Sequence, residues 1–346
     1  MKLLRFIFFP FAIIYGLITA FRNGLYSLKF FRSSKFSLPV INIGNLSVGG
    51  TGKTPHTEYL IRLLKDNYTL FTLSRGFGRK ERGFIIADNN SDANQIGDEP
   101  LQYYTKFGNE IGVAVDANRV TGVMDICRTH PETNLILLDD AYQHRAIYAG
   151  LNILITAYST PYYTDFMLPV GNLRELRSGK KRADIIIVSK CPEFDTVDKA
   201  QITKRINPIG NQKVFFSRIG YGEVFAINER SKTMDLVDQK IILVTGIAQS
   251  KPLVSYLEKR NSILHHFNFR DHYNFKTTDI TEIHNLFDKF AGENPVIITT
   301  EKDAMRLLDS AFEKKIVSYP WYCQSIGIEV DDNEGFNEIV SQYVEK

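Results

Sequence analysis

The segment Leu38–Thr54, LPVINIGNLSVGGTGKT, constrains the fold more than any other stretch of this chain. An apolar run from Leu38 to Ile43 ends in the glycine-rich turn Gly49-Gly50-Thr51-Gly52, and Lys53-Thr54 follows at once. Tyr59, Leu60, Leu63 and Leu64 then recur at helical spacing. Strand, glycine loop, Lys-Thr and helix in that order make a phosphate cradle. Ser47, Val48, Gly49, Gly50, Thr51 and Gly52 bring backbone N–H groups to a polyphosphate, Lys53 reaches its terminal groups, and the Thr54 hydroxyl suits Mg²⁺. Ser47 stands where the usual cradle begins with glycine. The pattern implies a nucleoside triphosphate site.

Beyond the cradle, short β-rich runs alternate with helix-length segments: Tyr68–Leu73, Ile111–Val115, Leu135–Leu138, Leu151–Ile155 and Ile185–Val188. This predicts an α/β fold of P-loop NTPase type, a mostly parallel sheet with helices on both faces. Ligands then belong beyond the C-terminal ends of the strands. Near residues 213–240 the pattern changes. Val214–Ile219 and Val224–Ile227 read as separate strands punctuated by Gly220 and Gly222, and a polar stretch follows before Ile241–Thr245. The 346 residues therefore divide into a P-loop domain over 31–220 and, after a hinge, a smaller α/β closing domain over 225–346.

The chain is 44% hydrophobic and 23% charged, a globular composition, and a net charge of +3 gives no footprint for nucleic acid. Cys127, Cys191 and Cys323 are scattered and odd in number, which predicts neither a disulfide framework nor a zinc site and favours a reducing compartment. The N-terminus departs from this soluble picture. Ile7 to Phe21 is apolar and flanked by Lys2, Arg5, Arg22, Lys29, Arg32 and Lys35. It is shorter than the roughly 20 residues that span a bilayer, and Pro10 interrupts it. A helix over residues 1–30 lying in a membrane surface fits these features, with a core helix as the alternative.

The remaining polar clusters fall at predicted strand ends. Leu135–Leu138 runs into Asp139-Asp140, where P-loop enzymes keep a metal-organising acid, and Gln143-His144 follow as a polar tip. Arg75, Arg119 and Arg174 can meet phosphate charge, Glu175 can complete a metal shell, and Asn172 lies in the same loop as Arg174. Gln143, Asn172, Arg75 and Arg119 are the candidate substrate contacts. Asp98, in Gly97-Asp98-Glu99-Pro100, and His272, in Asp271-His272-Tyr273, could pair to deprotonate a hydroxyl if the small domain closes on the large one. Pro192, two residues after Lys190, occupies the position where guanine-binding relatives carry Asp, so ATP is the expected nucleotide.

Taken together, these fragments resemble the tetraacyldisaccharide 4′-kinases, the lipid A 4′-kinases of Gram-negative bacteria. The resemblance is carried by Gly44-Asn45 through Lys53-Thr54-Pro55, Leu73-Ser74-Arg75-Gly76, Gly97-Asp98-Glu99-Pro100 and Asp139-Asp140-Ala141-Tyr142-Gln143-His144. Leu168-Pro169, Leu173-Arg174-Glu175, Arg182-Ala183-Asp184, Asp271-His272 and Thr300-Glu301-Lys302-Asp303-Ala304 extend it. Ala141 and Tyr142 stand where that family usually has Gly and Phe. The resemblance implies MgATP-dependent phosphorylation of the 4′-hydroxyl of an acylated glucosamine disaccharide 1-phosphate, giving lipid IVA. It also implies work at the cytoplasmic face of the inner membrane, peripherally or anchored by the N-terminal helix; the sequence itself gives no sign of an obligate protein partner. It assigns Asp98 and His272 as the catalytic pair and Lys53, Thr54, Asp139, Asp140 and Glu175 to phosphate and metal; Lys53 and, from its charge, Arg174 are counted with the catalytic residues. Two other readings are a P-loop enzyme for a soluble metabolite and a membrane-binding nucleotide switch, neither of which accounts for the joint motif set.

Overall fold

The computed structural model describes residues 7–271, 273–308 and 312–346. The expected catalytic His272 lies outside the described residues. In chain order the strands are β1 (Val40–Gly44), β2 (Leu70–Ser74), β3 (Ile85–Ile86), β4 (Gly112–Val115), β5 (Leu135–Asp139), β6 (Leu151–Ala157), β7 (Ile185–Ser189), β8 (Lys213–Ala226), β9 (Glu229–Met234), β10 (Lys240–Thr245), β11 (Ser262–Asn268), β12 (Val296–Thr300) and β13 (Trp321–Val330). They form one mixed sheet in the order β11-β10-β12-β13-β8-β7-β6-β1-β5-β2-β4-β3, with β9 paired to β8.

In the larger unit, β1, β2, β5 and β7 are buried along their whole length. Strands covered by helices on both faces need continuous apolar runs, and their pairings with one another and with β6 are parallel. From β1 the chain winds to β2 on one side of the sheet and returns to place β6 and β7 on the other. The crevice of such an α/β sheet opens beyond the strand ends where the winding reverses, here beyond β1, β5 and β6. The helix Lys53–Leu64 leaves this crevice and buries Leu60, Ile61 and Leu64 against the sheet.

The join between the units differs from the expected break around Gly220 and Gly222. β8 runs straight through as a 14-residue strand. Its first part pairs in parallel with β7, and from Ser217 it pairs antiparallel with β13. Both glycines lie opposite side chains of β13. A Cβ on Gly220 would lie 2.6 Å from Glu329 Oε1, and one on Gly222 would lie 2.7 Å from Ser325 Oγ. The smaller unit is built on β10, β11, β12 and β13 around Ile242, Val244, Ile297 and Trp321. Its expected extent, 225–346, overshoots at the C-terminus. The helix Asn333–Val344 returns to the larger unit, where Phe336, Val340 and Val344 join the core of Ile41 and Leu60. Tyr343 there donates its hydroxyl to the Val40 carbonyl at 3.0 Å.

The N-terminal helix, Phe9–Ser27, buries only Ala12 and Gly16 among its side chains. Phe11, Ile13, Ile14, Leu17, Ile18 and Phe21 face outward, Leu17 and Phe21 being 64% and 71% exposed. The helix thus rests on the larger unit by one narrow face and leaves its apolar face outside the core. Among the described residues, no helix is long and apolar enough to cross a membrane.

Candidate active site

The cradle follows from the backbone that β1 delivers. Gly49 and Gly52 have φ of 107° and 89°, the left-handed region where a side chain is strained, which explains both glycines. Gly52 caps the helix Lys53–Leu64 without any side-chain cap, so the first N–H groups of that helix are available to an anion. Neighbouring elements fix the loop. Ser47 forms an isolated bridge with Leu173, Val48 N–H donates to the Asn172 carbonyl at 2.7 Å, and Ser189 Oγ donates to the Thr51 carbonyl at 2.6 Å. The non-glycine start of the cradle is thus braced by the loop that carries Arg174. Lys190 donates to the Gly50 carbonyl at 2.6 Å.

The two acids at the end of β5 have opposite environments. Asp139 is buried and accepts from Tyr103 at 3.1 Å; burial, with Asp140 beside it, pushes its carboxyl up to about 7. Asp140 takes a left-handed φ of 48°, which turns its carboxylate to the cradle. Lys53 Nζ stands 3.6 Å away and Arg174 Nη1 donates to both oxygens at 3.0 and 3.1 Å. Burial alone would raise Asp140, but Lys53 and Arg174 more than offset it and hold it below the usual carboxylate range. The two neighbouring acids are thus pushed in opposite directions, Asp139 up by burial and Asp140 down by its two cations. Arg119, buried at the start of the helix Arg119–Thr129, donates to the Asp140 carbonyl at 3.3 Å, and burial lowers its pKa to about 10. Arg75 is exposed beyond β2, and its charge bears on Arg119 and on His144, whose pKa burial lowers to about 4. Among the described residues, no cluster of three or more His, Cys, Asp or Glu could hold a metal ion. Thr54 and the acid pair would be oxygen donors for a Mg²⁺ ion whose shell phosphates and water complete.

Three expected site residues are committed elsewhere. Glu175 is buried, and its carboxylate accepts from Arg182 at 2.8 and 2.9 Å, from Gln143 at 2.9 Å and from Asn23 of the N-terminal helix at 2.9 Å. In this arrangement it ties that helix to Arg182. The Gln143 amide also donates to the Asn45 carbonyl at 2.7 Å, bracing the start of the cradle. The Asn172 amide is turned to Asp165 at 3.1 Å.

Asp98 opens the helix Asp98–Phe107 and is buried facing the smaller unit. Arg306, on the helix Glu301–Leu307, donates to it through Nε at 3.1 Å and through Nη2. The chain on both sides of position 272 is tied to this helix: Arg306 Nη1 donates to the Tyr273 carbonyl at 3.3 Å, and Lys302 pairs with Asp271 at 3.6 Å. Sequence reasoning missed Arg306. The signal was the Thr300–Ala304 motif, to which no role was attached. A second buried chain of charge crosses the same boundary, from Glu58 on the cradle helix through Lys106 to Glu301, with Arg230 on its rim.

Known proteins resemble the chain over nearly its full length. A family profile described as tetraacyldisaccharide-1-P 4′-kinase matches residues 4–345. A tetraacyldisaccharide 4′-kinase of Flavobacterium johnsoniae is 45% identical over 100% of this chain and 99% of its own. One from Bacteroides thetaiotaomicron is 42% identical over 97% of this chain and 92% of its own. A crystal structure described as the "apo" form of LpxK from Aquifex aeolicus in complex with ATP superposes with a TM-score of 0.77 at 25% identity, covering 99% of each chain. The chain belongs to the tetraacyldisaccharide-1-P 4′-kinase family.

Proposed function

We infer that this protein is an ATP-dependent kinase that phosphorylates the 4′-hydroxyl of a tetraacylated glucosamine disaccharide 1-phosphate, giving lipid IVA in lipid A biosynthesis. The observation that carries the reading is the convergence of Lys53 and Arg174 on Asp140 beside a glycine-built phosphate cradle. Two cations at that point neutralise the charge that grows on the transferred phosphoryl group, which is the main work of a protein in this chemistry. The Thr54 hydroxyl and the Asp139 and Asp140 carboxylates would hold Mg²⁺, whose chemistry when bound is to draw charge from the β- and γ-phosphates. Asp98 and His272 serve as the base: the pair takes the 4′-hydroxyl proton as the new O–P bond forms and the bond to ADP breaks. The buried place of Asp98 at a helix start facing the smaller unit supports that role. Arg75 and Arg119 present positive charge where the substrate's polar head would enter.

The N-terminal helix lies on the cytoplasmic surface of the inner membrane in this reading. Its outward apolar face, the exposed Leu28, Phe30 and Phe31 beyond it, and the flanking Arg22, Lys29, Arg32 and Lys35 support that role. Its inner face is bonded to the active-site loops. Tyr15 donates to the Arg174 carbonyl at 3.0 Å and Arg22 to the Gln143 carbonyl at 3.0 Å. A substrate that keeps its acyl chains in lipid thereby meets the cradle at the membrane surface.

The test is transfer of label from γ-labelled ATP, with Mg²⁺, to the purified acylated disaccharide 1-phosphate. Lys53→Ala should lower the rate by about two to three orders of magnitude, the loss expected for a cation meeting developing charge in a dry site, roughly 3–4 kcal/mol. Label appearing only in inorganic phosphate, or a folded Lys53→Ala protein with ordinary turnover, would remove the assignment.

A further inference from the structure

The first turn of the cradle helix holds a buried histidine that the phosphate chemistry does not use. His56 Nδ1 lies 2.6 Å from the Gly52 carbonyl oxygen and Nε2 lies 2.9 Å from Ser217 Oγ. A carbonyl oxygen only accepts, so Nδ1 carries the proton and Nε2 accepts from the serine hydroxyl. The backbone N–H of His56 reaches the same carbonyl only at 3.4 Å, which leaves the ring as its closer donor.

Both ends of this bridge sit at decisive points. Gly52 is the left-handed residue that closes the cradle and caps its helix. Ser217, which has no exposed surface, follows the last residue of β8 paired to β7 and pairs instead with Val330 of β13. It marks the place where the strand leaves the larger unit's sheet and becomes the ribbon to the smaller unit. Its carbonyl accepts from Cys191 N–H at 2.9 Å, next to Lys190, whose ammonium holds the Gly50 carbonyl. Two carbonyls of the cradle are therefore fastened by side chains that lead to the root of the ribbon.

We propose that His56 is a positioning residue that couples the phosphate cradle to the ribbon joining the two units, so that nucleotide affinity depends on the Ser217 hydroxyl. The inference rests on the nucleotide reading of the cradle. Coupling between sites is reciprocal, so nucleotide that sets the pitch of Gly52 also sets the angle at which β8 leaves the sheet. The ring is suited to the task because it spans a fixed distance with one donor and one acceptor, whereas a longer flexible side chain would not transmit a shift.

The test uses the full chain, with the imido analogue of ATP and Mg²⁺ as the titrated probe, by calorimetry. His56→Asn keeps a donor near the Nδ1 position but does not reach Ser217, and Ser217→Ala removes the partner alone. Each should weaken binding by about three- to tenfold, the worth of one buried hydrogen bond, with melting temperature followed in parallel. The double variant should bind no more weakly than the poorer single, because the two substitutions break one connection. If both singles bind the probe as the unmodified protein does and only melting temperature falls, His56 is a packing group and the proposal fails. Additive losses in the double variant would likewise overturn it. Failure of the unmodified protein to bind the probe would instead remove the cradle reading itself.

Discussion

Arg306 of the smaller unit donates through Nε to the Asp98 carboxylate of the larger unit at 3.1 Å, joining positions 208 apart in sequence. Both side chains are largely dry, 7% and 11% exposed. The proposed base is therefore gripped by the smaller unit, so the position of that unit and the orientation of the carboxylate are linked.

Arg306→Met should lower kcat at least tenfold while leaving nucleotide affinity within about threefold, since Arg306 is remote from the cradle's own contacts. Removing one member of a buried ion pair typically costs about 3–5 kcal/mol, and denaturant unfolding should register a loss of that order. A double-mutant cycle with Asp98→Asn isolates the pair: the double variant should recover part of the loss. A coupling energy near zero would mean that the contact plays no part in holding Asp98.

Glu175 gives a second test, because its two readings predict different observables. As a strut, its removal leaves Arg182 and the amides of Gln143 and Asn23 without their shared acceptor. Glu175→Ala should cost roughly 2–4 kcal/mol of stability and loosen the N-terminal helix to limited proteolysis. The Mg²⁺ concentration giving half-maximal turnover should stay unchanged; a large rise in it would return Glu175 to the metal shell.

The elements legible in the sequence were those whose signal is local. β1 and the cradle could be read because a buried parallel strand needs an unbroken apolar run and the turn needs glycine at Gly49 and Gly52. β2, β4, β5, β6, β7 and β10 follow the same logic to within two residues at their starts. β13 was missed because its meaning lies in its partner: Gln324 bonds Gly222 across 102 positions, and nothing nearby announces it. The same blindness misread Gly220 and Gly222 as punctuation and left the C-terminal helix in the wrong unit. At the site, residue type showed where charge would gather but not who pairs with whom. An acid beside Arg174 reads equally as a metal ligand or as a strut, and the bonds from Arg182 and Asn23 to Glu175 are invisible in the sequence.

His284 should make the smaller unit acid-sensitive. Its Nε2 accepts from Trp321 Nε1 at 3.0 Å and its ring stacks on Tyr319, and burial lowers its pKa from 6.5 to about 4. The unfolded chain then binds a proton that the folded one refuses. The stabilisation is complete above pH 6.5 and is lost as pH falls from there toward about 4. The loss amounts to at most about 1.4 kcal/mol per pH unit in that window. His284→Gln, which cannot take up the proton, should show a shallower fall of melting temperature between pH 6.5 and 4.5. Equal slopes would place the acid sensitivity on other groups.

The N-terminal helix permits a test that separates membrane docking from folding. Ile14, Leu17 and Phe21 project outward, while the contacts that fasten the helix come from Tyr15, Arg22 and Asn23. Replacing the three outward residues with Ser leaves those contacts in place, and exposed substitutions of this kind usually move stability by less than about 0.5 kcal/mol. Each apolar side chain gains roughly 1.5–3 kcal/mol when fully removed from water, so even partial immersion of three makes docking depend on them steeply. Binding to vesicles containing anionic lipid should fall at least tenfold in the triple Ser variant, with melting temperature and nucleotide affinity held. Raising salt should weaken the docking of the unmodified protein further, because Arg22, Lys29, Arg32 and Lys35 meet the headgroups through screened charge. Turnover of the acylated substrate presented in vesicles should drop with docking, whereas ATP affinity should not. If the triple variant still partitions fully to vesicles, the outward face serves something other than lipid.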